Sequence, residues 1–227
     1  METRQEILAN AERRLRARRE PRWPAVIGGT VFAMLYYALP EPLTLGPGWV
    51  LPAISMSLVA VAQIAHRMRR ELINEILAYV NLVLITIALA SSLGLLIARL
   101  PLHKDPPTEL LRSAGALWVA NILLFASWYW RLDGGGPNAR DKRGTHLDGA
   151  FFFPQMAMPV DLKKQMGEDR WTPGFVDYLF LAFNTSTAFS PTDVPVLSKW
   201  AKVLMMVQSM ISLATIALLA ARAVNIL

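Results

Sequence analysis

Long apolar stretches are the feature that most constrains what this chain can fold into. A helix needs about 20 mostly apolar residues to cross the roughly 30 Å hydrocarbon core of a bilayer. Of the 227 residues 54% are hydrophobic, and five stretches approach the required length, one of them short. They are Trp23 to Leu39, Trp49 to His66, Ile76 to Leu100, Ser113 to Trp130 and Trp200 to Leu227. The sequence therefore predicts an all-α integral membrane protein with five transmembrane helices.

Tryptophans mark the ends of these apolar stretches. They are Trp23, Trp49, Trp128, Trp130 and Trp200. Indole rings favour the membrane–water interface, because one side of the ring is apolar and its N–H can be hydrated. We therefore expect these five rings to lie near the two membrane surfaces.

The first 23 residues form a basic arm with seven arginines and four glutamates. Apolar residues recur in it at helical spacing, which leaves open an amphipathic helix on anionic lipid or a solvated targeting arm. The formal charge of the chain is +6, but its basic residues cluster beside the apolar stretches. The expected partner is therefore a bilayer with anionic headgroups, and no nucleic acid.

The distribution of arginine and lysine predicts an orientation. Short basic segments stay in the cytoplasm, which places the N-terminus and the loop with Arg67, Arg69 and Arg70 inside. The long connection that follows residue 130 is also basic and is expected inside. Five crossings then place the C-terminus in the periplasm. In this scheme residues 24–112 hold three accessory transmembrane helices.

The connection 131–172 is rich in glycine and proline. Its segments DGGGPN, GTHLDG and FFFPQMAMP predict irregular structure. The apolar residues from Phe151 to Met158 are expected to be buried against the bundle or the membrane, with a docking surface as the alternative.

A short apolar stretch and a hydroxyl-rich run follow this connection. Thr172 and Pro173 are typical of a helix start, and the helix predicted over 173–187 is too short to span a bilayer. The loop 188–195 is polar, and non-helical backbone at membrane depth occurs only inside protein or beside water. The sequence therefore predicts a re-entrant pore-type helix and loop.

The segment from Leu179 to Asn225 resembles the pore helix, filter and inner helix of bacterial two-span potassium channels. The resemblance rests on matching residues, which are Thr185, Thr187, Asp193, Ala201, Lys202, Gln208, Ala221 and Arg222. The whole chain is also similar to small multi-span bacterial membrane proteins of unassigned function. The resemblance implies a pore-like module over 113–227, with an outer helix at 113–130 and an inner helix at 199–227. It further implies a homotetramer in the bacterial inner membrane that passes monovalent cations.

The filter departs from the pattern of that family. The five-residue Thr-Val-Gly-Tyr-Gly filter aligns with residues 188–192, which contain no glycine. Glycine lets filter carbonyls point at one axis, so a potassium-type carbonyl ladder is not expected here. A ring of side-chain oxygens is the predicted replacement, and a structural tie of the loop to its neighbours is the alternative. The predicted filter residues are Thr187, Ala188, Phe189, Ser190, Pro191, Thr192 and Asp193.

Polar residues recur on the last apolar stretch. Gln208, Ser212 and Thr215 follow helical spacing, which suits either interhelical hydrogen bonds or a pore-facing stripe. Ser212 also aligns with the hinge glycine of the channel family. Gly28 and Gly29 are expected to permit close helix packing.

The sequence offers no pattern for enzyme chemistry. It has no cysteine, and His66, His103 and His146 are scattered along it without further ligands at metal spacing. We therefore expect no catalytic residues, no metal and no cofactor. The functional prediction is an ion channel with a non-potassium-type constriction, and the alternative is a non-conducting membrane scaffold that binds a partner.

Overall fold

A computed structural model of the chain describes residue 20 and residues 22–99, 106–143, 149–168, 171–187 and 193–224. The regular structure of this part is helical, as predicted, and its one β-type contact is an isolated bridge between Phe151 and Val196. The predicted amphipathic helix of the basic arm and the histidines His103 and His146 lie outside the described residues.

Nine α-helices and two short 3-10 turns make up the described fold. The helices are α1 (Trp23–Tyr37), α2 (Val50–Arg67), α3 (Glu71–Arg99), α4 (Pro107–Leu132), α5 (Gly136–Arg143), α6 (Pro154–Ala157), α7 (Val160–Gln165), α8 (Phe175–Thr187) and α9 (Lys199–Val224). The 3-10 turns are Glu41–Leu43 and Asp133–Gly135.

Four of these helices, α2, α3, α4 and α9, are long and apolar enough to cross a membrane. Helix α1 is apolar but has only 15 residues. The helices α2, α3 and α9 begin within five residues of the predicted starts, whereas α4 begins six residues earlier, at Pro107. Length and composition therefore support a membrane protein with four spanning helices and a shorter fifth apolar helix.

Helix α4 is the centre of the bundle. It packs against α1 and α3 on one side and against α8 and α9 on the other. Helix α2 closes the first side, because it packs against both α1 and α3. The chain thus forms a four-helix group, α1 to α4, and adds the pair α8 and α9 to the opposite face of α4.

The two ends of the bundle differ in charge. Residues from distant parts of the chain meet at one end, where Arg22 pairs with Asp141 and Asn138 lies beside Asn74. We call this the basic end. The basic residues that begin, end or flank its helices are Arg22, Arg67, Arg69, Arg70, Arg131, Arg140, Lys142 and Lys199. At the opposite end the described helices contain Arg99, Arg112 and Arg222.

The connection after α4 is more ordered than its glycines and proline predicted. Gly134, Gly135 and Gly136 take positive φ values of 57°, 76° and 84°, which L side chains rarely adopt. They turn the chain, and Pro137 then lies in the first turn of α5, where its fixed φ and missing N–H cost nothing. The prediction of irregular structure is therefore wrong for residues 136–143, and also for the short helices at 154–157 and 160–165.

The phenylalanines of this connection are buried in the bundle. Phe151 is 1% exposed and Phe153 is 4% exposed, whereas Phe152 faces outward. Both buried rings meet the Tyr178 ring edge to face, at centroid distances of 6.2 and 5.4 Å. Such pairs add specific geometry to apolar burial. The expected burial of this segment is therefore confirmed at two of its three phenylalanines.

Only one glycine of the pair in α1 serves close packing. A Cβ on Gly28 would lie 3.1 Å from Cζ of Phe175 in α8, whereas a Cβ on Gly29 would have no atom within 4 Å. The packing prediction is thus confirmed for Gly28 and wrong for Gly29.

We expect Gly136→Ala to destabilise the fold more than Gly46→Ala does. Both glycines have positive φ, 84° and 77°, so both alanines carry the left-handed cost of roughly 1–2 kcal/mol. At Gly136 a Cβ would also lie 2.6 Å from the carbonyl oxygen of Arg131, whereas at Gly46 it would meet nothing within 4 Å. Thermal melting of the two variants in mild detergent measures the difference, and equal melting temperatures would contradict it.

Candidate functional site

Helix α8 begins at the basic end of the bundle. The Tyr178 hydroxyl donates a hydrogen bond to Oδ2 of Asp133 (2.7 Å), and the Phe175 ring packs edge-on against Trp130. The first turn is closed by Asp177, whose Oδ2 accepts the backbone N–H of Gly174 at 2.7 Å. The helix therefore starts at Phe175, two residues after the predicted start, and a carboxylate inside the helix caps it.

The C-terminal half of α8 is tied to the middle of α9. The amide Nε2 of Gln208 donates to the carbonyl of Ala182 (2.7 Å) and to the hydroxyl of Ser186 (2.8 Å). One turn further along α9, the Ser212 hydroxyl donates to the Ser186 carbonyl at 2.6 Å. Because α9 begins at Lys199, these contacts lie about 14 to 20 Å along it.

The chain after the polar loop lies again at the end where α8 begins. The backbone N–H of Phe152 donates to the carbonyl of Pro195 (3.0 Å), and that of Leu197 donates to the carbonyl of Ala150 (2.7 Å). Ala150 in turn donates its own N–H to Oδ1 of Asp133. Asp133 therefore holds both the start of α8 and, through Ala150, the segment that leads into α9.

Two of the seven predicted filter residues lie among the described residues. Thr187 is half-buried at the end of α8, where its hydroxyl donates to the carbonyl of Phe183 at 2.9 Å. Asp193 is exposed. The other five, Ala188, Phe189, Ser190, Pro191 and Thr192, lie outside the described residues.

The three predicted inner-helix residues are buried within one chain. Gln208 and Thr215 have no exposed surface, and Ser212 is 2% exposed. Gln208 Oε1 accepts the hydroxyl of Tyr129, and the Ser212 hydroxyl accepts Nε1–H of Trp118 at 3.0 Å. Gln208 and Ser212 thus make interhelical hydrogen bonds, the first of the two expected roles. Thr215 donates only to Ile211 of its own helix.

Sequence reasoning missed the partners of these residues on α4 and α8. Trp118 and Tyr129 carry no signal of this role in the sequence, and Ser186 stands out only as one hydroxyl of the polar run. All three complete the hydrogen bonds of Gln208 and Ser212. Their positions on separate segments give no joint signal in the sequence, because only the packing of α4, α8 and α9 brings them together. The one local signal is their spacing, since Trp118 and Tyr129 are about three helical turns apart on α4.

The outer faces of α8 and α9 are apolar. Their exposed large side chains are Val176, Phe180, Phe183, Val203, Met206, Val207, Met210 and Leu213. Ser186, Gln208 and Ser212 are buried instead, whereas Lys199, Lys202 and Ser209 of α9 are exposed. This face suits lipid or a second copy of the same surface better than water.

The basic end contains a buried group of charges that the sequence analysis did not identify. Nη2 of Arg140 lies 2.8 Å from Oε2 of Glu20, and both side chains are 6% exposed. Arg140 also donates to the carbonyls of Trp130 (2.9 Å) and Asp133 (2.6 Å), and Trp130 donates its Nε1–H to Glu20. Trp130 is therefore buried at 2% exposure, at the basic end of the bundle but not on its outer surface. Its indole N–H finds a carboxylate inside the protein rather than water.

Comparison with protein-family models, with curated proteins and with solved structures found no match to this chain.

Proposed function

We propose that this protein is a pore-loop membrane protein that conducts ions through a constriction formed by residues 187–193. The observation that carries the proposal is the path of the chain around α8. Helix α8 starts beside Asp133, its last turns contact the middle of α9, and residues 195–197 pair with residues 150–152 beside Asp133 again. A helix of 13 residues whose two flanking segments lie at one end of the bundle supports the proposal of a re-entrant element.

The C-terminus of α8 supports a preference for cations. A helix carries a partial negative charge at its C-terminus, and this end of α8 lies beside the middle of a spanning helix. Thr187 stands at that end, and Asp193 adds an exposed carboxylate close behind it in sequence. Hydroxyl and carboxylate oxygens suit monovalent cations when several copies form a ring.

A ring of chains gives these polar groups a common axis. The exposed faces of α8 and α9 are apolar and carry bulky side chains, so they can pack against neighbouring copies. A homotetramer is the closed assembly that the family resemblance implies, and closed symmetry would shield the loop from lipid. In this arrangement Gln208 and Ser212 position α8, while the path itself is bordered by residues 187–193.

The charge difference between the two ends supports an orientation. The basic end would face the cytoplasm of the bacterial inner membrane, so the N-terminus and the mouth of the pore loop are cytoplasmic. The end of α9 then lies in the periplasm. A reporter fused to the C-terminus and found in the cytoplasm would contradict this arrangement.

We expect Asp193→Asn to change ion flux through the reconstituted protein by at least several-fold, because it removes one negative charge per chain from the mouth. Native mass in nanodiscs comes first, and a tetramer is the expected result. Flux is then measured in liposomes with sodium, potassium and chloride gradients. Asp161→Asn, an exposed aspartate on α7, is the matched control and should leave flux unchanged.

A stable monomer or dimer would overturn the fourfold pore. A tetramer without flux would instead favour the scaffold function. One observation supports it: Gln208 and Ser212 of α9 already donate to the carbonyls of Ala182 and Ser186, so these oxygens are less free to bind ions. Such a scaffold would present the exposed apolar residues Val160 and Leu162 of α7. A partner lost on Val160→Asp and retained on Asp193→Asn would identify that surface.

A further inference from the structure

A cavity lies between α1, α2, α3 and α4, on the side of α4 away from the pore loop. Its volume is about 90 Å³. Arg22, Arg131 and Asn74 line it at the basic end, and Val59, Leu82 and Ile85 line its deeper part. From Asn74 to Ile85 the wall formed by α3 extends about 16 Å along the bundle. The cavity is thus polar and cationic at one end and apolar at the other.

The cationic end holds guanidinium N–H donors that have no acceptor among the described residues. The guanidinium of Arg131 lies over the Trp130 ring at 5.1 Å, and within the described part of the chain it makes no hydrogen bond or ion pair. Arg22 lies over the same ring at 5.7 Å, and its partner carboxylate, Asp141, is held at 2.7 Å by Nη2. Glu75 on α3 also attracts Arg131 electrostatically, so the two arginines face two acids. The guanidinium of Arg131 still has N–H donors that no described residue accepts.

Two buried polar atoms in the same wall also lack partners. Nε of Arg22 and Oδ1 of Asn81 have no hydrogen bond to any described residue. Asn81 is 7% exposed. In proteins the great majority of buried polar atoms have a hydrogen-bond partner. Two unpaired atoms in one cavity therefore indicate an occupant. Water could satisfy Asn81, but an anion could also accept hydrogen bonds from Nε of Arg22 and from the guanidinium of Arg131.

We propose that this cavity binds one anionic phospholipid, with its phosphate against Arg131 and Arg22 and part of an acyl chain along Val59, Leu82 and Ile85. Guanidinium groups present several N–H donors that match phosphate oxygens. The apolar depth of the cavity gives no hydrogen bonds to a free inorganic anion but accepts a hydrocarbon chain. The basic end of the bundle is also the level at which phosphate headgroups would lie. The site is separate from the pore loop and does not depend on conduction.

Two variants remove the site in different ways. Arg131→Gln deletes the guanidinium charge and keeps part of the side chain's length. Gly29→Leu fills the cavity from α1, where an added Cβ meets no atom within 4 Å, and keeps both arginines. The matched controls are Arg67→Gln, an exposed arginine at the same end, and Gly94→Leu, a glycine of α3 that also has no atom within 4 Å of an added Cβ.

The experiment titrates phosphatidylglycerol or phosphatidylcholine in mixed micelles into the full chain and follows thermal melting and retained lipid by native mass spectrometry. Phosphatidylglycerol should raise the melting temperature and remain bound, and phosphatidylcholine should do neither. Arg131→Gln and Gly29→Leu should each weaken this effect at least tenfold, with both controls within twofold of wild type. Equal effects of the two lipids, or unchanged binding in both variants, would overturn the proposal. If millimolar inorganic phosphate in phosphatidylcholine micelles raised the melting temperature as much as phosphatidylglycerol does, the site would bind free phosphate. That result would overturn the proposal of a bound phospholipid.

Discussion

Arg140→Leu is expected to destabilise the protein by about 3–5 kcal/mol, the typical cost of removing one partner from a buried ion pair. The side chain of Glu20 would keep a buried carboxylate whose cation is gone, since Arg140 now lies 2.8 Å from it. The carbonyls of Trp130 and Asp133 would also lose their guanidinium donor. These carbonyls belong to the turn that leads from α4 into α5. Because Asp133 of this turn also accepts a hydrogen bond from Tyr178, the start of α8 should be destabilised as well.

Lys142→Leu is the matched control for this prediction. Lys142 pairs with Glu71 only two residues away from Arg140 along the chain, but its side chain is 66% exposed. Exposed pairs contribute little to stability, so this variant should melt with wild type. Thermal or denaturant unfolding of both variants in the same detergent gives the comparison. Similar unfolding of the two variants would show that the buried group at the basic end does not hold the fold.

A double variant tests whether the charges compensate each other. Burial raises the pKa of Glu20 above its ordinary value, because desolvation outweighs the attraction of Arg140 and the hydrogen bond from Trp130. The ion pair therefore balances its own cost of burial rather than adding much stability. Glu20→Leu combined with Arg140→Leu should recover part of the stability lost in the single variant. The carbonyls that Arg140 serves would still lack a donor, so recovery should be incomplete.

The helices could be predicted from sequence because each rests on a local signal. An apolar run of about 20 residues specifies a spanning helix without reference to the rest of the chain. The same holds for α8, whose apolar run ends in hydroxyl-bearing residues at Thr185 and Thr187. Helix α5 was missed because three glycines before Pro137 are typical of irregular structure. The structure uses them as a turn of positive φ that leads directly into a helix.

The buried charges could not be predicted from sequence, because their contacts connect distant residues. Glu20 and Arg140 are 120 positions apart, and Glu20 belongs to a segment that reads as a solvated basic arm. Asp133 stands in a glycine-rich stretch where an aspartate is typical of turns. Trp130 carried the signal of an interface ring, yet its neighbours at the basic end bury it. Local patterns specify helices, whereas these contacts follow from how the helices pack.

Gln208→Leu is expected to release α8 from α9 and to abolish flux. Its side chain makes three hydrogen bonds, to Ala182, Ser186 and Tyr129, and it has no exposed surface. Interhelical hydrogen bonds in membrane proteins average about 0.6 kcal/mol each, so three predict a loss of about 2 kcal/mol. The leucine would also leave the Tyr129 hydroxyl buried without its acceptor. The end of α8, from which the proposed constriction continues, would then lose its fixed position beside the middle of α9.

The control for this prediction lies two turns away on the same helix. Thr215 is as buried as Gln208, but its hydroxyl donates only to Ile211 of α9 itself. Thr215→Val removes a hydroxyl of that helix without freeing α8, so both stability and flux should stay close to wild type. The stability and flux of Ser212→Ala should lie between those of Gln208→Leu and Thr215→Val. This variant removes one hydrogen bond to Ser186 and leaves Nε1–H of Trp118 without an acceptor. Flux and melting temperature that follow this order would tie conduction to the anchoring of α8. Wild-type flux in Gln208→Leu would instead separate the conduction path from the polar contacts between α8 and α9.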